Sequence, residues 1–182
     1  MIRSTAVGAL ALGALFTLAA VPANADATGD VRAAMLRLAG QSSYEMAIGT
    51  GSRSATIDYV KPHSMHMRTT GTEMVFIDST MYVKMGGTWR KLPGHQGVGP
   101  GEMAAKVREM TTGANALTAT DLGMKTVDGE SLHAYRMKQS NGTESTVYIA
   151  RDGLCHRIDG SGKNSTVRFS KFNAIPPIHA PM

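Results

Sequence analysis

Several stretches of the chain combine residue types that could do chemistry. Cys155 and His156 offer a thiol beside an imidazole, the parts of a nucleophile and its base. Adjacent residues on a strand point to opposite faces, so these two would not face each other. His63, Met65 and Met67 recur at every second position, which sets an imidazole and two thioethers on one strand face. That donor set suits Cu(I), and Met81 and Met85 could approach the same face. Clustered methionine also serves as plain apolar filling, so a copper site stands as an alternative only. The glycine-rich stretches read as turns. Gly97-Val98-Gly99-Pro100-Gly101 has Glu102 where a dinucleotide-binding loop needs its third glycine. Gly160-Ser161-Gly162-Lys163 resembles the end of a phosphate loop, but Asn164 stands where a hydroxyl must reach magnesium and Arg157 where the first glycine belongs. Neither G-x-S-x-G nor H-E-x-x-H occurs. The sequence therefore reads as non-catalytic and without a cofactor.

The elements that must position these residues are short and regular. Thr28 to Gly40 reads as a helix, with Thr28 or Asp30 as its N-terminal cap and Val31, Met35 and Leu38 on one apolar stripe. After it the period changes to two. Tyr44, Met46 and Ile48 alternate with polar or small residues, as do Ala55, Ile57 and Tyr59, and Pro62 ends that second strand. A two-residue turn at Asp78-Ser79 would set Phe76 against Met81, Met74 against Val83, and Val75 against Tyr82 on the other face. Gly94 to Gly101 reads as a loop that could act as a lid or position a helix, and Met103, Val107 and Met110 repeat at helical spacing after it. Met124 to Val127 and Ser131 to Gln139 form a hairpin about Asp128-Gly129, and strands follow at 143–150, 154–159 and 166–172. Hairpin-linked strands interrupted by two helices make an α+β domain with an antiparallel sheet.

Residues 1–25 read as a secretion signal: Arg3, an apolar run from Ala6 to Val21, then Ala23-Asn24-Ala25 as a cleavage site. The residue after it is Asp26, not Cys, so no lipid anchor is expected. The expected mature domain, 26–182, carries 18 basic against 14 acidic residues in no like-charged run. Nucleic acid is not an expected partner, while weak peripheral contact with anionic lipid is compatible with that charge. Cys155 is the single cysteine, so no internal disulfide can form, and it reads as a buried apolar residue. From Asp26 onward there are 12 methionines against 9 aromatic residues. Methionine is flexible and polarizable, which suits a deformable apolar surface for acyl chains as well as it suits core filling.

Four segments in order carry a family resemblance: "IDYVKPHSMHMRTTG", "EMVFIDSTMYVKMGGTWRKLPG", "LGMKTVDGESLHAYRM" and "VRFSKFNAIPPIHAP". Together they resemble the LolA-like superfamily of lipoprotein carriers, their receptors and LppX/LprG-type lipid-binding proteins. The resemblance implies a single curved antiparallel sheet, a half-open barrel, covering an apolar cavity closed by helices. It also implies acyl chains of lipids or lipoproteins as ligands; with the signal segment, the expectation is a periplasmic or extracellular binder, acting as a monomer. Ile57, Tyr59, Met65, Met67, Met74, Phe76, Met81, Val83 and Met85 would line the cavity. An envelope sensor that binds a protein partner is the other reading the same resemblance allows, besides the Cu(I) alternative.

Overall fold

The computed structural model describes residues 26–49, 54–93, 117–162 and 166–181. The expected signal segment, the glycine loop and the expected helix through Met103, Val107 and Met110 lie outside the described residues. Within them the chain forms one helix and eleven strands.

Helix α1 (Ala27–Gly40) buries Val31, Ala34, Met35 and Leu38, the expected stripe with one small residue added. Its cap corrects the sequence reading. Asp26 is the N-cap, and its Oδ1 accepts the Gly29 N–H at 2.8 Å. A Cβ at Gly29 would meet that carboxylate, so a larger residue there requires the Asp26 side chain to shift. Thr28 and Asp30 hold the helix to the sheet instead. Thr28 Oγ1 accepts the Ala119 N–H at 3.0 Å, and Asp30 Oδ2 accepts the Tyr135 hydroxyl at 3.1 Å.

The strands are β1 (Ser43–Ile48), β2 (Ala55–Val60), β3 (Ser64–Thr69), β4 (Glu73–Ile77), β5 (Thr80–Met85), β6 (Thr88–Pro93), β7 (Thr118–Val127), β8 (Glu130–Lys138), β9 (Glu144–Ile149), β10 (Cys155–Gly160) and β11 (Thr166–Ser170). They build a single sheet in the order β6-β5-β4-β3-β2-β1-β11-β10-β9-β8-β7. Every pairing is antiparallel. Two meanders, β1–β6 and β7–β11, are thus joined where β1 pairs with β11, Met46 opposite Phe169. The sheet is curved and not closed, an open half-barrel with β6 and β7 at its two edges.

The β4–β5 hairpin has the register that its turn residues predict. Phe76 faces Met81, Met74 faces Val83 and Val75 faces Tyr82. Asp78 adopts φ 53, a left-handed conformation that aspartate tolerates better than bulkier residues. Strand β7 is longer than the sequence suggests, beginning at Thr118 rather than Met124. A bulge between Asp121 and Met124, with Gly123 at φ 73, breaks the alternation that would have revealed it. Strand β11 is correspondingly shorter than expected and ends at Ser170.

Helix α1 packs on β7–β10, on the face that also carries Tyr135, Val147 and Cys155. Register carries that inner face across β11 into β1, so Tyr44, Met46 and Phe169 join the same core.

Candidate functional site

Two parallel rows of side chains cross the inner face of β1–β6. In the first, Tyr44 pairs with Tyr59, Tyr59 with Met65, Met65 with Phe76, Phe76 with Met81, and Met81 with Leu92. In the second, Met46 pairs with Ile57, Ile57 with Met67, Met67 with Met74, Met74 with Val83, and Val83 with Arg90. Strand alternation places every one of these on a single face, as the spacing from Ser54 to Pro93 implies.

The rows differ in burial. From Tyr59 to Met81 the first row is buried, with Met65 at 2% and Phe76 at 4% exposure. In the second row Ile57 is buried, while Met67, Met74 and Val83 are half-buried and pack against the core from its border. Eight of the nine residues named from the sequence therefore sit in or against one apolar cluster. The ninth, Met85, is at the end of β5 and 57% exposed, at the rim. Among the described residues this face is packed in its first row and half-buried in its second, and no enclosed cavity is shown.

Tyr44 and Met46 belong to these rows and escaped the sequence-based list. Their alternation was legible, but the β1–β2 connection is too long for a turn type to fix register. Tyr44 and Tyr59 lie with ring centroids 5.0 Å apart. Burial, and then the neighbouring Tyr59, push the Tyr44 hydroxyl up to about 12, and burial also raises Tyr59. Both phenols are neutral at ordinary pH, so this end of the face carries no charge.

The outer face of the same strands is polar. Arg68 Nη1 meets Asp58 Oδ2 at 2.8 Å, and Glu73 accepts from Lys84 Nζ and His66 Nε2 at 2.9 Å each. Bonds from Lys84, and then His66, hold the Glu73 carboxyl below its ordinary range. Over this face runs the chain end, anchored by Asn173. The Asn173 Oδ1 accepts from Ser42 N and Oγ at 2.8 Å, its Nδ2 donates to Gln41 Oε1 at 2.6 Å, and its N–H donates to Ser43 O at 2.7 Å. Beyond it, Ile175 to His179 roof a groove of about 570 Å³ over Val75, His66, Asp58 and Trp89. In that groove Asp58 Oδ1 is buried without a hydrogen-bond partner.

The remaining sequence candidates are separated by the fold. Cys155 is fully buried in the core, and burial pushes its thiol up to about 12. His156, next to it, faces away: its Nδ1 lies 3.0 Å from Glu130 and its ring 5.3 Å from that of Phe172. The two therefore form no nucleophile–base pair, although a bulge between Cys155 and Arg157 interrupts simple alternation at this point. His63 lies in the exposed turn before β3, whereas Met65 is in the core and Met67 at its border. Among the described residues no three His, Cys, Asp or Glu side chains gather as a metal-binding group.

No family model matches the chain, and no curated protein is detectably similar to it in sequence. Its fold has solved counterparts. The lipoprotein LppX of Mycobacterium tuberculosis aligns with a TM-score of 0.62 at 19% identity, covering 84% of this chain and 97% of LppX. LprF of Mycobacterium bovis aligns with a TM-score of 0.58 at 16% identity, covering 86% of this chain and 96% of LprF. What these proteins share with the chain is the fold.

Proposed function

We propose that the protein is an exported, non-catalytic carrier or binding protein for the acyl chains of lipids or lipoproteins, held on its methionine-rich inner face. The observation that carries this reading is the second row, Ile57–Met67–Met74–Val83. These four are apolar, and Met67, Met74 and Val83 are half-buried beside the buried part of the first row. Thioether side chains with three rotatable bonds can mould themselves to a flexible hydrocarbon. Each apolar side chain that becomes fully buried contributes ~1.5–3 kcal/mol. Micromolar affinity corresponds to about 8 kcal/mol, and burial of the acyl chain's own methylenes, ~0.8 kcal/mol each, must add to the side-chain gain to meet it and the cost of association. The fold shared with LppX and LprF supports lipid or lipoprotein binding at the level of architecture only. In this reading residues 1–25 direct export and the domain from Asp26 acts as a soluble monomer. No helix among the described residues is long and apolar enough to cross a membrane.

Native mass spectrometry after mild purification should find a lipid adduct, and a fluorescent fatty acid should bind the emptied protein. Met67→Glu with Met74→Glu places two carboxylates in the acyl contact and should weaken that binding ~tenfold or more. A protein that is always empty and indifferent to fatty acids contradicts the proposal.

A further inference from the structure

We propose that the β5–β6 hairpin, at an edge of the sheet among the described residues, docks on an anionic lipid headgroup surface. Thr80 to Pro93 carries three cations, Lys84, Arg90 and Lys91, and no acid. Lys84 is committed to Glu73 at 2.9 Å and lies 5.6 Å from the centre of the Trp89 ring. Arg90 and Lys91 are exposed and have no ion pair among the described residues. Around them stand apolar groups that water does not favour: Met85 at 57% exposure, Leu92 at 36%, and the half-buried Trp89. Alternation puts Arg90 and Leu92 on the inner side of β6 and Trp89 and Lys91 on the outer side, so cations and apolar groups flank both sides of the edge. The tip is Gly86-Gly87, at φ 57 and 84, with open space where side chains would be.

A bilayer surface matches this composition. Lysine and arginine meet lipid phosphates, tryptophan favours the headgroup level, and the apolar groups reach the acyl boundary. Cations on an edge strand also discourage strand-to-strand aggregation, but that role needs neither the tryptophan nor the exposed methionine. The proposal stands on the hairpin's own residues and complements the acyl-binding reading without resting on it. Row two of the inner face ends at Arg90, so a docked edge would bring that face to the membrane.

Trp89 is the only tryptophan in the chain, so its emission reports on this hairpin alone. Vesicles containing phosphatidylglycerol should blue-shift that emission and sediment the protein, and phosphatidylcholine vesicles should do neither. Roughly 0.5 M salt should reverse the effect by screening. Arg90→Gln with Lys91→Gln should weaken vesicle binding ~tenfold or more, and Lys91→Gln alone, on the outer side of β6, should weaken it severalfold while leaving fatty-acid binding in solution unchanged. No shift with anionic vesicles overturns the proposal, and so does a shift that ignores vesicle charge or survives the double substitution. A shift produced by polyglutamate but not by vesicles assigns the edge to an acidic polypeptide and equally overturns it. Fatty-acid titration without vesicles is read separately. Its failure beside intact docking would remove the carrier reading and leave this one standing.

Discussion

At the scale of single residues, burial and hydrogen bonding decide what each reactive group can do. The Cys155 thiol is sealed in the core and held protonated at neutral pH, with its Sγ 3.5 Å from the Arg157 carbonyl oxygen. Only the thiolate is a competent nucleophile. Iodoacetamide should therefore leave native Cys155 unmodified and label it only in urea; rapid labelling of the folded chain would contradict its placement. Asp121 behaves in the opposite sense. The Gly123 N–H at 2.6 Å, and then His133 Nε2 at 2.7 Å, hold its carboxyl below the ordinary aspartate range. A depressed folded value means the stabilisation is present above the unfolded value, about pH 4, and is lost as pH falls through the folded one. Asp121→Asn should thus be less stable than wild type at pH 7, with a gap that narrows on acidification below about pH 4. Urea midpoints across pH measure it. A constant gap would assign Asp121 a role other than its charge.

Elements record how far local signals reach. The β4–β5 register was legible because a two-residue turn fixes pairing, and a one-residue slip would send Met74 and Phe76 to the polar face. The α1 cap was not legible from position alone. Asp26, Thr28 and Asp30 are all competent cap residues, and tertiary partners on β7 and β8 chose among them. Asp26→Ala should cost about 1 kcal/mol in urea unfolding, and Asp26→Ser should recover most of it. Equal stability of all three would show that the cap contributes nothing. The start of β7 stayed hidden because its bulge interrupts the period of two, and β1–β11 pairing is long-range with no turn to announce it. The candidate face was mostly legible, since alternation within β2–β5 is local. Tyr44 and Met46 were missed as members because their place in the rows depends on a pairing across residues 49–54. Nothing local marked Asn173 as the residue that anchors the chain end.

At the largest scale the described residues form two antiparallel meanders that share one inner face and treat it differently. Helix α1 covers β7–β10 and buries that half of the face against Val31, Met35 and Leu38. Across β2–β5 the face is methionine-rich, and its second row stays half-buried. On the outside, charge pairs and the anchored chain end keep the same strands polar or covered. This asymmetry is what the proposed function uses: one half of the half-barrel serves as a packed support, the other as an adaptable surface. It also provides an internal control, because Met35 and Met137 lie fully within the packed half. The most direct measurement is a titration of protein carrying ¹³C-methyl methionine with a long-chain fatty acid, followed by methyl NMR. The account predicts large, saturable shifts for Met67 and Met74, smaller ones for Met65 and Met81, and near silence from Met35 and Met137. Unchanged methionine methyls in the presence of excess fatty acid, or shifts confined to Met35 and Met137, would contradict it.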